Sequence, residues 1–176
     1  SQNSSQQMRR YWSLPGEGMA TEPVDSHRQI EDFANLFQDS IRLRLRSDVT
    51  VGSCLSGGLD SSSIVCVANQ LLQEKNASSG RAIGELQKTF SSCFDDPLYD
   101  ERIYIEKVLE KTGAEANYIF PDSDQLINEL SSLIWHQDEP FPGLSIFSQW
   151  SVMKCAASKD VTVLLDGQGA DELLAG

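Results

Sequence analysis

The sequence predicts an α/β domain: a doubly wound parallel sheet with helices on both faces. Three observations carry this. Short apolar runs alternate along the chain with amphipathic segments of helical period. Strands separated in this way by helices pair in parallel. The runs are apolar without strict alternation, as expected of strands covered on both faces.

Residues 1 to 24 are polar and irregular, with Pro15, Gly16, Gly18 and Pro23, and read as a lead-in or linker. A first helix is expected from Asp25 to Arg46. Ile30, Phe33, Phe37, Ile41 and Leu45 form its apolar stripe, and Ser26 with Gln29 resembles a capping box. Arg42, Arg44 and Arg46 read as a solvated face at its C-terminus, where the helix dipole favours cations. Val49 to Leu55 is the first strand, and Asp60 to Leu72 a helix entered through Ser-Gly-Gly. Residues 74 to 88 are polar and read as a surface loop. Thr89 to Phe94 is a second strand. Asp100 to Thr112 is a helix with Tyr104, Ile105, Val108 and Leu109 on one face, stopped by Gly113. Ala116 to Phe120 is a third strand. Ser123 to Trp135 is a helix with Leu126, Ile127, Leu130 and Ile134 expected inward. A helix from Ile146 to Ser158 and a fourth strand from Val161 to Leu165 follow. The chain then turns through DGQGADELLAG into a new helix. That helix has only begun at Gly176, so the sequence reads as cut at both ends from something longer.

Length and composition set further bounds. The 176 residues make room for one domain and a lead-in. A net charge of −12 argues against sequence-independent nucleic-acid binding, which needs a basic face. It leaves anionic ligands open, because backbone N–H groups bind phosphate without side-chain charge. No apolar run approaches the ~20 residues of a bilayer span, and no secretory h-region opens the chain. Cys54, Cys66, Cys93 and Cys155 lie far apart, without zinc spacing, and read as buried thiols in a reducing cytoplasm.

Two glycine motifs carry the chemistry. Ser56-Gly57-Gly58-Leu59-Asp60-Ser61-Ser62 sits between a buried strand and an amphipathic helix. Glycines let the backbone take positive φ and approach a ligand. The free N–H groups of the helix's first turn then form a nest for phosphate oxygens, and Ser56, Ser61 and Ser62 can add hydroxyl donors. The bland alternative is a glycine turn with Asp60 as a helix cap. Gly52 and Gly57 have Walker-loop spacing, but Gly58 stands where the lysine belongs, which argues against an ordinary kinase or P-loop ATPase. The second motif, Asp166-Gly167-Gln168-Gly169-Ala170-Asp171-Glu172, also leaves a strand for a helix. Glu172 there takes the place of the third Rossmann glycine. A flavodoxin-like winding is expected to put strands one and four side by side where strand order reverses. Both motifs would then face one crevice, and Asp60 and Asp171 could share a Mg²⁺ that bridges ATP phosphates.

With these residues in view, VTVGSCLSGGLDSSSIV resembles the pyrophosphate-binding loop of N-type ATP pyrophosphatases. VTVLLDGQGADELLAG resembles the second nucleotide motif of the asparagine synthetase family, as do TFSSCFDDPLYDERIYIEKVLEKTG and HQDEPFPGLSIF. The resemblance runs from about residue 11 to 176. It implies an adenine nucleotide alpha hydrolase-like fold. Residues 25 to 176 would be the N-terminal part of a synthetase domain truncated at its C-terminus, without the glutaminase domain. It also implies a two-step reaction: a substrate carboxylate, usually that of aspartate, attacks the α-phosphorus of MgATP, pyrophosphate leaves, and ammonia displaces AMP. Ser56, Gly57, Gly58, Ser61 and Ser62 would hold pyrophosphate, Asp60 and Asp171 the Mg²⁺, and Leu55, Ser92 and Gly167 the adenosine. Breaking the α–β bond agrees with the missing Walker lysine.

Three departures qualify the resemblance. Gln168 stands where better-known asparagine synthetases carry a glutamate, and an amide cannot accept a proton from ammonia. It could still orient a substrate, and it raises the weight of a different carboxylate, as in β-lactam synthetase-like or peptide-maturation cyclase-like chemistry. The family's catalytic lysine falls beyond Gly176, and no cysteine here replaces the glutaminase nucleophile. The chain alone is therefore expected to be inactive. Its expected partners are small molecules (ATP, a carboxylate, ammonia), with no nucleic acid and no membrane. A homo-oligomeric parent protein is left open, as is an ATP-binding module without catalysis.

Overall fold

The computed structural model describes residues 7–11, 26–74 and 87–174, with ten regular elements among them. The chain divides into two units, Ser1–Asn35 and Leu36–Gly176. The first holds the N-terminal part of α1 (Ser26–Arg44), where Arg28 and Asp32 pair at 3.9 Å. Ser26 is itself the first helical residue, so it does not stand at the cap position in front of the helix. The lead-in, apart from residues 7–11, lies outside the described residues, as does 75–86 of the expected surface loop.

The second unit is an α/β sandwich. After α1 come β1 (Val51–Cys54), α2 (Leu59–Gln73), β2 (Lys88–Ser92), α3 (Arg102–Thr112) and β3 (Glu115–Ile119). Then follow α4 (Ser123–Gln137), α5 (Ser145–Ser158), β4 (Val163–Leu165) and α6 (Ala170–Leu174). All pairings are parallel, in the order β3-β2-β1-β4. Val51 faces Val163 and Ser53 faces Leu165 across the β1–β4 pair. The flavodoxin-like winding is thereby corrected. Flavodoxin order runs 2-1-3-4-5, whereas 3-2-1-4 is the start of the Rossmann order. The expected neighbours, β1 and β4, do meet, and the order reverses between them.

Strand alternation assigns the helices to two faces. Val51 and Leu165 share one core with Ile41, Leu45, Ala68 and Leu71, from the end of α1 and from α2. Leu55 and Cys93 extend that face over Val65, Ile105 and Val108 of α2 and α3. On the opposite face Phe90 packs with Val152, Ala156 and Val161, and Cys54, Ile119 and Leu164 close around them. Both faces of the sheet are therefore helix-covered, as the apolar strands require.

Three expectations about side chains change. The α1 stripe is buried only at its C-terminal end: Ile41 and Leu45 are buried, whereas Ile30 is 66% and Phe33 53% exposed. On α3, Ile105 and Val108 face inward, but the Tyr104 ring is exposed. On α4, Ile127 (71%) and Ile134 (53%) point outward, and Leu133 (0%) is the buried anchor. The α4 face toward α5 carries Glu129, whose carboxylate accepts from Trp150 Nε1 and from Lys154 Nζ, each at 2.6 Å. Bonded twice, Glu129 links α4 to α5 while its side chain stays 28% exposed.

Helix ends follow local chemistry. Asp122 caps α4 by accepting from Gln125 N at 2.8 Å. Gly113, at φ +67, closes α3 as expected.

Candidate functional site

Both glycine motifs emerge at the C-terminal edge of the sheet, from the adjacent strands β1 and β4. This is the place where open α/β sheets bind ligands. Gly58 is the residue before α2, and no side chain caps the helix there. The first helical bond runs from Ser62 N to Gly58 O at 3.1 Å. The N–H groups of Leu59, Asp60 and Ser61 thus lack intrahelical acceptors, at the positive end of a 15-residue helix. Asp60 is the second helical residue and does not act as the cap.

The serines divide their work. Ser61 Oγ is buried inside the loop: it accepts from Ser56 N at 3.2 Å and lies 2.9 Å from Ser56 Oγ. Ser56 Oγ in turn accepts from Gly58 N at 3.3 Å. These bonds curl the loop around itself. Gly57 takes φ +90, and a Cβ there would stand 3.1 Å from both the Glu101 carbonyl oxygen and Tyr104 Cβ. The loop is therefore wedged against the first turn of α3.

The two motifs touch. A Cβ on Gly167 would stand 3.0 Å from Asp60 Cβ and 3.0 Å from Ser61 N, so only a glycine lets β4's turn close onto α2. Asp166 organises that turn. Its Oδ1 accepts from Gln168 N at 3.3 Å, and its charge lies near the Cys54 thiol. Burial, with Asp166 alongside, pushes the Cys54 thiol up to about 12, which disfavours a thiolate there. Gln168 and Asp171 are exposed beyond the turn.

Leu55 and Ser92 end the two central strands. Leu55 N donates to Phe90 O at 3.0 Å, and Leu55 O accepts from Ser91 Oγ at 2.6 Å. Its N–H is thus committed within the protein. Ser92 Oγ is the opposite case: it is buried and has no hydrogen-bond partner. A native protein rarely leaves such a group unsatisfied, so it suits a ligand reaching the strand ends.

Among the described residues no group of three or more His, Cys, Asp or Glu could hold a metal. A Mg²⁺ in this crevice would therefore need phosphate oxygens and water to complete its shell. A separate concavity of about 560 Å³ is lined by Ile134, Trp135, Asp138, Glu139, Pro140 and Phe141. Neither glycine motif contributes to its walls. His136 stays on the surface with Nδ1 2.8 Å from Ser132 O.

The sequence did not single out Asp166 as the organiser of the second turn, nor Arg102. Asp100, one residue ahead of the cap position Glu101, accepts from Arg102 N at 3.1 Å and so ties down the first N–H of α3. Arg102 Nε and Nη2 grip the same carboxylate at 2.7 and 2.9 Å, and hold it below the usual carboxylate range. The only sequence signal was the spacing Asp-x-Arg ahead of an apolar helix.

The family model for asparagine synthase matches residues 32–176. A putative glutamine-hydrolysing asparagine synthetase of Methanocaldococcus jannaschii is 37% identical over 172 residues, covering 94% of this chain and 29% of that protein. Glutamine-hydrolysing asparagine synthetase 1 of Bacillus subtilis is 33% identical over 153 residues, covering 87% of this chain and 22% of that protein. The chain thus spans less than a third of the length of these relatives. Among solved structures, an NH3-dependent NAD synthetase from Campylobacter jejuni aligns at TM-score 0.47 and 17% identity, over 86% of this chain and 60% of that one. None of the described helices is long and apolar enough to cross a membrane.

Proposed function

Because the chain belongs to the asparagine synthase family, we propose that its crevice binds MgATP in an ATP-dependent, amide-forming ligase. The reaction would adenylate a carboxylate, that of aspartate in the first instance, and pass the acyl group to ammonia. The observation that carries this reading is the contact of Gly167 with Asp60 and Ser61, which joins the two nucleotide motifs.

Each part of the crevice has a role in that reading. The uncapped N–H groups of Leu59, Asp60 and Ser61, with Ser62, receive the pyrophosphate oxygens. Ser56, Gly57, Gly58 and Ser61 shape the loop that presents them. Charge growing on the departing pyrophosphate meets fixed dipoles that need no reorganisation. Asp60 and Asp171 hold Mg²⁺, which when bound neutralises phosphate charge. Ser92 Oγ and the backbone of Leu55 and Gly167 receive the adenosine; at Leu55 this falls to the second lone pair of the carbonyl, whose first takes Ser91 Oγ while the N–H is bonded to Phe90 O. The setting is biosynthetic and cytoplasmic.

Gln168 supports a second reading within the same chemistry. An amide cannot take the proton released when ammonia attacks, so the acceptor could be a different carboxylate, as in β-lactam-forming or peptide-cyclising relatives. Carboxylate-dependent ATP–pyrophosphate exchange on the full-length protein separates the readings. Exchange requiring aspartate supports the first. Exchange with another carboxylate only supports the second. Silence with every carboxylate, together with retained ATP binding, overturns both in favour of a nucleotide-binding module.

A further inference from the structure

Resting on the reading of the crevice as a phosphate site, we propose that Arg102 is a positioning residue. With Asp100 and Phe120 it locks the first turn of α3 against Gly57 and thereby sets the shape of the phosphate loop.

The loop has no slack on the α3 side. The position of a Gly57 Cβ is 3.1 Å from Glu101 O, 3.1 Å from Tyr104 Cβ and 3.4 Å from Ile105 Cγ1. Wherever the first turn of α3 goes, Gly57 follows, because close-packed backbone transmits displacement. That turn is anchored in the core by Ile105 and braced at the rim by one side chain. Arg102 grips Asp100 through Nε and Nη2, as its backbone N–H donates to the same carboxylate. The guanidinium also lies over the Phe120 ring, 5.5 Å from its centroid, with Asp95 at 4.0 Å. The clip therefore ties the segment after β2 and the segment after β3 to the start of α3. A planar fork is needed for this: two parallel N–H bonds fix an angle as well as a distance, and a face is left to lie on the ring. Lysine supplies the charge without the angle.

The clip sits on the rim and not in the core. The Arg102 side chain is 34% exposed and that of Asp100 28%. Its loss should disturb the loop far more than the global fold, since partly exposed ion pairs add little to stability.

The test is calorimetric titration of the full-length protein with magnesium pyrophosphate and, separately, with adenosine. Arg102→Gln and Arg102→Lys are each expected to weaken pyrophosphate binding about tenfold, with adenosine affinity held within about twofold. Asp100→Asn should cost the same, and Arg102→Gln with Asp100→Asn no more than either alone, as for two halves of one device. A purely structural role would lower both affinities together, and that parallel loss overturns the proposal. So does unchanged pyrophosphate binding in Arg102→Lys, the variant least apt to disturb folding. Absence of pyrophosphate and ATP binding in the unmodified protein would instead remove the phosphate-site reading, and this inference with it. Binding in the unmodified protein with unaffected variants removes this inference alone.

Discussion

Replacing Gly57 by alanine tests the wedge between the first glycine loop and α3. Two costs are expected. An L-residue at φ +90 is strained by about 1–2 kcal/mol. The new methyl also meets the Glu101 carbonyl oxygen and Tyr104 Cβ at 3.1 Å, backbone or near-backbone atoms that cannot swing aside. Overpacking of that kind costs about 1–3 kcal/mol. The sum, about 2–5 kcal/mol, is a large share of the ~5–15 kcal/mol that holds an ordinary domain together. Two further glycines separate the terms. Gly113 has φ +67 but open space around its Cβ position, so Gly113→Ala isolates the strain, about 1–2 kcal/mol. Gly58 has φ −66 and an ordinary 3.4 Å contact with Ser56 Oγ, so Gly58→Ala should fall within about 1 kcal/mol of the unmodified protein, on either side. Urea unfolding followed by tryptophan fluorescence gives the three midpoints. The order Gly57→Ala far below Gly113→Ala, with Gly58→Ala near the original, is expected. Equal losses at Gly57 and Gly113 would mean that the α3 wall exerts no pressure on the loop.

Three other outcomes follow from the same structure. Asp60→Ala should weaken Mg²⁺-dependent ATP binding by much more than Asp95→Ala, since Asp60 opens α2 against Gly167 and Asp95 is an exposed carboxylate near Arg102; equal losses in a titration would remove Asp60 from the metal. Leu133→Ala should cost about 2–5 kcal/mol as a fully buried truncation, while Ile134→Ala, half exposed, should cost well under half of that in the same urea series; the reverse order would restore the face read from periodicity. Cys54 keeps its proton up to about 12 when folded, whereas an unfolded thiol releases it near ~8.5. The protonated form thus favours the folded state fully below that lower value, and the contribution fades as pH rises toward the folded one. Iodoacetamide at pH 8 should therefore label Cys54 far more slowly in buffer than in urea, and matching rates by mass spectrometry would contradict its burial beside Asp166.

The order of elements was legible in the sequence because hydrophobic period and glycine punctuation are local properties. VTVGSCL, the α2 pattern and the Gly113 stop required nothing distant to be recognised. The two glycine motifs were legible for the same reason: each is a strand end, a turn and a helix start in one contiguous run. Faces were less so. Ile127 and Ile134 look as apolar as Leu133, yet of the three only Leu133 is buried, while Glu129 on the same helix reaches Trp150 and Lys154 of α5. The winding order was likewise undecided by the sequence, since a parallel crossover of this length reaches either side of β1; packing set it as 3-2-1-4. What the tertiary structure alone decided is how the crevice is assembled. Gly167 meets Asp60 across more than one hundred residues of chain, and Glu101 meets Gly57. Such contacts depend on backbone approach within a few ångströms, which composition and spacing do not encode. The sequence determined two glycine motifs at strand ends, and the fold determined that they touch.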